Sequence, residues 1–132
     1  MENINITNEI YGDIKISDEV IATIASVATK EISGISGLSL SIAGEIASKF
    51  TKKNLSKAIK ITSTDNKLTI DISVIVQYGI RIPDVAWEVQ QNVKKSVESM
   101  SDLIVDKVNI IVSGVDFGST TNSDVSADRE DN

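Results

Sequence analysis

Two hydrophobic periods follow one another along residues 68–100. Apolar and polar residues first alternate, which is typical of a strand with one buried face. The residues predicted to point inward are Leu68, Ile70, Ile72, Val74, Val76 and Tyr78. Gly79 ends the alternation, and the fixed backbone of Pro83 suits the first turn of a helix. Apolar residues then recur every three or four positions, which predicts a helix over residues 84–100 with an inward stripe of Val85, Val89, Val93, Val97 and Met100.

A second strand is predicted at residues 104–113, directly after this helix. The three elements form a strand–helix–strand unit, whose crossover is right-handed if its two strands are parallel. Ahead of the unit, Ile59 and Ile61 alternate with polar residues in another predicted strand. The turn residues at 64–67 then lead into the long strand, which predicts an antiparallel hairpin.

The N-terminal half carries a short strand and the first main helix. Ile14 and Ile16 flank a lysine in the strand, and Ser17 is placed to cap the helix that follows. The helix is predicted to extend to about Ile32 and to stop at Gly34, where a left-handed backbone is easy. Its wide apolar face is predicted to contain Val20, Ile21, Ile24, Val27, Ala28 and Ile32.

These elements predict an α+β fold of two layers. A short strand over residues 37–42 and a short helix over residues 43–54 complete the order of elements. One mixed β-sheet, covered on one face by two main helices plus the short third helix, buries the apolar face of every strand and helix. We expect this domain to span residues 12–117, after a flexible arm at 1–11 and before a disordered acidic tail at 118–132.

The composition narrows the chemistry that the chain can perform. It has no cysteine, no histidine and a net charge of −6. Disulfides, thiol or histidine catalysis and the usual zinc ligand sets are therefore excluded. Asp71 stands alone on its strand, and the acidic residues of the tail are too unordered for a preformed site, so we predict no catalytic residues, no metal site and no cofactor. The tail acids considered are Asp124, Asp128, Glu130 and Asp131.

Neither the N-terminus nor the longest uncharged run predicts entry into a membrane. The N-terminus has no signal-peptide pattern, and the longest uncharged run, residues 32–44, is too short and polar to span a bilayer. We expect a cytoplasmic protein without direct transmembrane insertion. Any membrane association would be peripheral or through a partner.

The segment YGIRIPDVA at residues 78–86, followed by NVKKSVESM at residues 92–100, is the most specific sequence feature. With GDIKISDEVIATIASVATKEISGISGL before it and VDKVNIIVSGVDF after it, the chain resembles the alkaline shock protein family of bacterial envelope-stress proteins, best known from Gram-positive bacteria. The resemblance covers roughly residues 12–117. It implies an abundant, non-enzymatic protein that self-associates into a homo-oligomer or filament. It also implies that a membrane-anchored protein partner tethers this protein beneath the membrane, where it supports envelope homeostasis under stress.

Trp87 is the most informative candidate for a contact with another protein. A helical wheel places it about 200° from Val85 and hence on the outer face of the second helix. There it joins Gln91, Lys94 and Glu98. An exposed tryptophan in a chain with 4% aromatic residues indicates an interface anchor. The alternative is that the loop after Asn54 or the N-terminal arm covers it.

Arg81 is a second candidate, because a cation is disfavoured near the positive end of the helix dipole. It could hold an anionic group of a partner, such as a carboxylate of another subunit or a phosphate. A local ion pair with Asp84 or Glu88 that fixes the strand-to-helix turn is the interpretation that we favour.

A cluster of lysines interrupts the acidic chain at Lys49, Lys52, Lys53, Lys57 and Lys60. Contact with anionic lipid headgroups is one interpretation. A solvated surface that keeps the protein soluble is the other, and we favour it because the segment lacks the bulky apolar face that stable insertion requires.

The alternative functions rest on weaker signals. Gly34 and Gly37 have the GxxG spacing of a KH-type nucleic-acid loop, but the loop has no basic residue and a strand is predicted to follow it. Because only the glycine spacing supports it, a KH-like nucleic-acid-associated regulator is the second interpretation and not the first. A carrier of a small molecule or lipid would need an enclosed apolar pocket, and no small-molecule substrate is evident from the sequence. We predict a non-enzymatic scaffold.

Overall fold

The structure is a computed structural model of the chain. It describes the backbone of residues 3–8 and residues 10–39 and 58–118 in full. The short helix predicted over residues 43–54 and nearly all of the tail lie outside the described residues. The same holds for the second half of the strand predicted over residues 37–42.

Two helices and six strands occupy the described residues, which confirms the predicted α+β class. In chain order they are β1 (Asn3–Asn8), β2 (Gly12–Ser17), α1 (Asp18–Lys30), β3 (Ile35–Leu38), β4 (Ile59–Thr64), β5 (Lys67–Gln77), α2 (Ile82–Ser101) and β6 (Ile104–Asp116). No strand was predicted within residues 1–11, yet β1 pairs antiparallel with β2 from Asn3 to Asn8. β3 also begins two residues earlier than predicted.

Strand β5 is the centre of the main sheet. It pairs antiparallel with β3 through residues 74–76 and with β4 through residues 67–72, so these two strands share one of its edges. Strand β6 follows the other edge of β5 over its whole length and runs parallel to it. The β4–β5 hairpin and the β5–α2–β6 unit are both as predicted, and the relative direction of β5 and β6, which the sequence left open, is parallel. Strands β1 and β2 form a separate two-stranded sheet.

The core lies between the sheet and the two helices. The inward residues of β5 from Leu68 to Val76 are all buried, and they face the buried residues of α1 and α2. The two helices are also joined by a side chain, since Asn92 Nδ2 donates to the Ala28 carbonyl oxygen at 2.8 Å and to Glu31 Oε1 at 2.9 Å. The first bond satisfies a backbone carbonyl near the end of α1 that lacks an intrahelical donor of its own.

Local chemistry explains the predicted cap and turns, although α1 ends at Lys30, two residues before its predicted end, and α2 begins at Ile82, two residues before its predicted start. Ser17 Oγ accepts from the Val20 N–H at 3.4 Å and caps α1. Asp65 and Asn66 adopt left-handed φ angles of 51° and 66° in the turn of the β4–β5 hairpin. Gly34 has φ +101°, and a Cβ placed on it would lie 3.1 Å from Val85 Cγ2, so packing as well as conformation requires glycine.

Four apolar residues predicted to face the core are exposed instead. Tyr78 is 71% exposed because β5 ends at Gln77, so the tyrosine lies beyond the part of the sheet that the helices cover. The buried residues of α2 lie four positions apart and end at Ser101, so each one lies about 40° further around the helix than the one before. Near the end of the helix this shift has moved the buried side away from Met100, which is 70% exposed. On α1 the buried face is narrower than predicted and consists largely of small residues, which leaves Val20 and Val27 exposed.

Candidate functional site

The outer face of α2 carries the residues that the sequence indicated for protein contact. Trp87, Gln91, Lys94 and Glu98 lie within an arc of about 60° around the helix. The Trp87 side chain is 59% exposed, as the helical wheel predicted. These four residues are called the α2 face below.

This face borders the outer edge of β6, by which we mean the edge directed away from β5. Lys94 Nζ donates to the Val105 carbonyl oxygen at 2.7 Å, and Glu98 Oε2 accepts from the Val105 N–H at 2.9 Å. Further along, Gln90 Nε2 donates to the Val108 carbonyl oxygen at 2.9 Å. Side chains of α2 thus occupy the backbone groups of β6 that a neighbouring strand would otherwise use.

Lys94 and Glu98 also pair with each other, with 3.0 Å between Nζ and Oε2. The bond from the Val105 N–H, followed by the bond from Lys94, lowers the pKa of Glu98, while partial burial opposes this shift. The carboxylate is therefore held in its charged form. The two charges predicted as partner contacts are thus engaged within the chain, which leaves Trp87 and Gln91 as the members of the α2 face without such a bond among the described residues.

A shallow groove of about 290 Å³ lies between α2 and the first half of β6. Six of its eight lining residues are polar or charged, and the lining consists of Gln90, Gln91, Lys94 and residues 105–109 of β6. An open groove of this composition differs from the enclosed apolar pocket that a carrier of lipids or small molecules needs.

The second half of β6 is arranged differently. Within the described residues, β6 pairs with β5 alone, and no side chain bonds to its outer edge beyond Val108. Ile111 and Val115 in this half are 46% and 43% exposed. Exposed apolar residues beside an unpaired strand edge are the features by which sheets add a further strand.

The turn between β5 and α2 forms a second exposed area. Arg81 Nε lies 3.2 Å from Asp84 Oδ2, so the structure contains the local ion pair that the sequence favoured. Next to it, the rings of Tyr78 and Phe117 pack with their centroids 5.1 Å apart. The sequence did not indicate this pair, because its members lie in elements that are adjacent only in the folded sheet.

The lysine cluster is represented by one described residue. Lys60 is exposed on β4 and lies opposite Asp71 in the β4–β5 register. Asp71 also accepts from Asn109 Nδ2 at 2.8 Å, which gives this isolated acid a partner within the sheet. Lys49, Lys52, Lys53 and Lys57 lie outside the described residues.

The GxxG segment is explained by the fold. Residues Ile35–Leu38 form β3, so Gly37 lies within a strand rather than in a loop that leads into a helix. Gly34 is buried against Val85 and Ile80. Neither glycine forms the exposed backbone clamp of a KH loop.

Two features are absent from the described residues. No group of three or more acidic, histidine or cysteine residues lies close enough there to hold a metal ion. None of the helices in these ranges is long and apolar enough to cross a membrane.

Fold and site define a small α+β domain with one helical layer and a long strand at the edge of its sheet. The family model of the alkaline shock protein 23 family, which has a cell envelope-related function, matches residues 6–117. The chain belongs to this family. The resemblance found in the sequence is thereby confirmed.

Several known proteins resemble this chain. The chain is similar to the protein YqhY of Bacillus subtilis (strain 168), with 33% identity over 119 residues that cover 90% of this chain and 87% of the relative. It is also similar to a stress response regulator gls24 homolog of Streptococcus pyogenes, with 21% identity over 82% of this chain and 61% of that protein. Among solved structures, a MamM CTD covers 74% of this chain and 98% of its own, with 11% identity and a TM-score of 0.45.

Proposed function

We propose that this protein is a non-enzymatic scaffold of the envelope stress response. In this proposal it self-associates in the cytoplasm and is held beneath the membrane by a membrane-anchored protein partner. Membership of a family with a cell envelope-related function, together with a stress-response relative, supports the physiological setting. The exposed surface around Trp87 and β6 supports self-association.

One observation carries the scaffold proposal: an exposed tryptophan lies beside an unpaired strand edge. Lys94 reaches the outer edge of β6, and Trp87 lies two helical turns earlier at almost the same angle around α2. Trp87 therefore belongs to the side of the helix that borders this edge. Tryptophan buries a large apolar area at low conformational cost, which is why it often anchors protein interfaces.

The self-association is tested by size exclusion coupled to light scattering across a range of protein concentrations. We expect the mass of the wild type to rise with concentration and that of Trp87→Ala to stay near one chain. Met100→Ala is the matched control, because it removes another exposed apolar side chain from the far side of the same helix. A wild type that stays monomeric at high concentration would contradict the scaffold.

The membrane partner is tested separately with anionic vesicles and with cell membranes. We expect the purified protein to stay in solution with vesicles and to sediment with membranes of its own host. Protease treatment of those membranes should abolish this binding, because it removes the proposed protein partner. Strong binding to bare vesicles would instead favour direct contact through the lysine cluster.

A further inference from the structure

We propose that the contact between two copies is an antiparallel pairing of β6 with β6 of a second copy, about a two-fold axis at Ile111. This inference rests on the self-association proposed above and specifies its geometry. The joined strands would merge two sheets into one continuous sheet.

The backbone of β6 presents the groups that such a pairing needs. Both the N–H and the carbonyl of Val105 bond to side chains of α2, so both point away from β5. The carbonyl of Val108 points the same way after the bulge that the register shows before Lys107. Because backbone groups alternate in direction along a strand, Ile110 and Val112 also direct theirs to the outer edge. Ile110 of each copy would then exchange two backbone hydrogen bonds with Val112 of the other copy.

The same axis brings complementary side chains together. A second bulge, between Val112 and Gly114, shifts the register by one residue. With this shift, Lys107 of one copy lies opposite Asp116 of the other, and the symmetry repeats this pair of opposite charges. Opposite charges at facing positions stabilise paired strands. A hydrogen bond from the Ser36 hydroxyl, followed by one from the Gly118 N–H, lowers the pKa of Asp116, so its carboxylate carries its charge.

The apolar residues match in the same register. Ile111 lies opposite itself across the axis, and Val115 lies opposite Val108 of the second copy. Ile111 points its backbone toward β5, so it forms a non-hydrogen-bonded pair, in which facing side chains come closest. Such pairing covers the two apolar residues that are most exposed in the second half of the strand.

These matches favour a second copy over an unrelated strand. An arbitrary peptide could use the backbone groups of β6, but it has no reason to carry a cation, an apolar centre and an anion at the spacings of β6 itself. The axis is perpendicular to the sheet, so both helical layers lie on the same face. The α2 faces with Trp87 then approach one another above the junction, which links this contact to the tryptophan.

The absence of cysteine from the chain provides a direct test. Facing residues of a non-hydrogen-bonded pair have Cα atoms about 4.5 Å apart, within the range of about 4.4–6.8 Å that a disulfide accepts. We expect mild oxidation to convert most of the Ile111→Cys protein into a disulfide-linked dimer. Reduction should return it to single chains. Asn109→Cys is the control, since it is exposed two residues away on the same strand and faces Gly114 of the second copy.

The outcomes separate the register from association itself. Cross-linking of Ile111→Cys, with at least tenfold less for Asn109→Cys, supports the pairing. An equimolar mixture of Asn109→Cys and Gly114→Cys should also cross-link, because these positions face one another. If wild type associates but neither Ile111→Cys nor this mixture cross-links above the control, the register is overturned and self-association stands. If wild type is monomeric by light scattering, both proposals fail.

Discussion

Lys94 Nζ lies 2.7 Å from the carbonyl oxygen of Val105, so a helix side chain completes the outer edge of a strand. Glu98 binds the N–H of the same residue. The two side chains thus occupy both backbone groups of Val105, one with a cation and one with an anion. Edge strands that are covered in this way resist uncontrolled pairing. In β6 this protection covers the first half, so the proposed association would use the second half.

We predict that the contribution of Glu98 to stability depends on pH. Its pKa in the folded protein is lowered by the bonds from Val105 and Lys94. A carboxylate whose pKa is lower in the folded than in the unfolded protein stabilises the fold. This stabilisation is fully present above the unfolded pKa, which is about 4.3 for Glu. It is lost as the pH falls through the pKa of the folded protein. We therefore expect Glu98→Gln to lower the midpoint of thermal unfolding at neutral pH, and the difference from wild type to shrink toward acid.

The measurement is thermal unfolding followed by circular dichroism across pH. Glu88→Gln serves as a control, because it removes an exposed acid from the same helix. A difference between wild type and Glu98→Gln that stays constant with pH would show that the charge of Glu98 is not its source.

Gly34 provides a second prediction, on packing. Gly34→Ala combines a strained φ of +101° with a methyl group 3.1 Å from Val85 Cγ2, so we expect a loss of about 1–3 kcal/mol in the free energy of unfolding. The control is Gly37→Ala, because nothing lies within 4 Å of a Cβ placed there. Urea unfolding compares the two variants, and equal losses would refute the packing argument.

The sequence predicts the central unit of this fold well because its signals are local. The alternation along β5 and the stripe along α2 are each read within one element, and the left-handed residues Asp65 and Asn66 mark their hairpin within four residues. The wheel position of Trp87 follows from the same local geometry. Its 59% exposure agrees with that position.

The remaining features depend on which elements become neighbours. Whether β6 lies at the centre or the edge of the sheet is decided by the pairing of β3 and β4 with the other side of β5. The bonds from α2 to Val105 and Val108, and the ring pair of Tyr78 with Phe117, exist only after that choice. Periodicity also misplaced Met100, because the buried row of α2 rotates as it ascends the helix.

A third prediction concerns Asn92, which joins the two helices. Its amide donates to the Ala28 carbonyl oxygen at 2.8 Å in a half-buried position. Asn92→Ala removes this donor and the bond to Glu31, so we expect a loss of about 1 kcal/mol in unfolding free energy. Lys95→Ala, an exposed change on the same helix, should have a much smaller effect in the same urea titration. Comparable losses would mean that helix propensity, not the interhelical bond, sets the result.

The last prediction asks how the assembly grows. Pairing of β6 with itself is isologous, so this contact alone closes at a dimer, and a filament needs a second surface. Ile111→Lys places two cations against each other at the axis and should abolish dimer formation. At protein concentrations where the wild type is monomeric, the thermal midpoint should stay unchanged.

Ile104→Lys is the matched control, because Ile104 is also exposed on β6 but lies outside the proposed pairing. It should associate like the wild type in light scattering. If the wild type forms species larger than a dimer and Ile111→Lys reduces them to a uniform smaller oligomer, β6 is one of two contacts in a growing assembly. If Ile111→Lys and Ile104→Lys associate alike, the edge of β6 is not the interface, and the α2 face around Trp87 must bind a partner copy by itself.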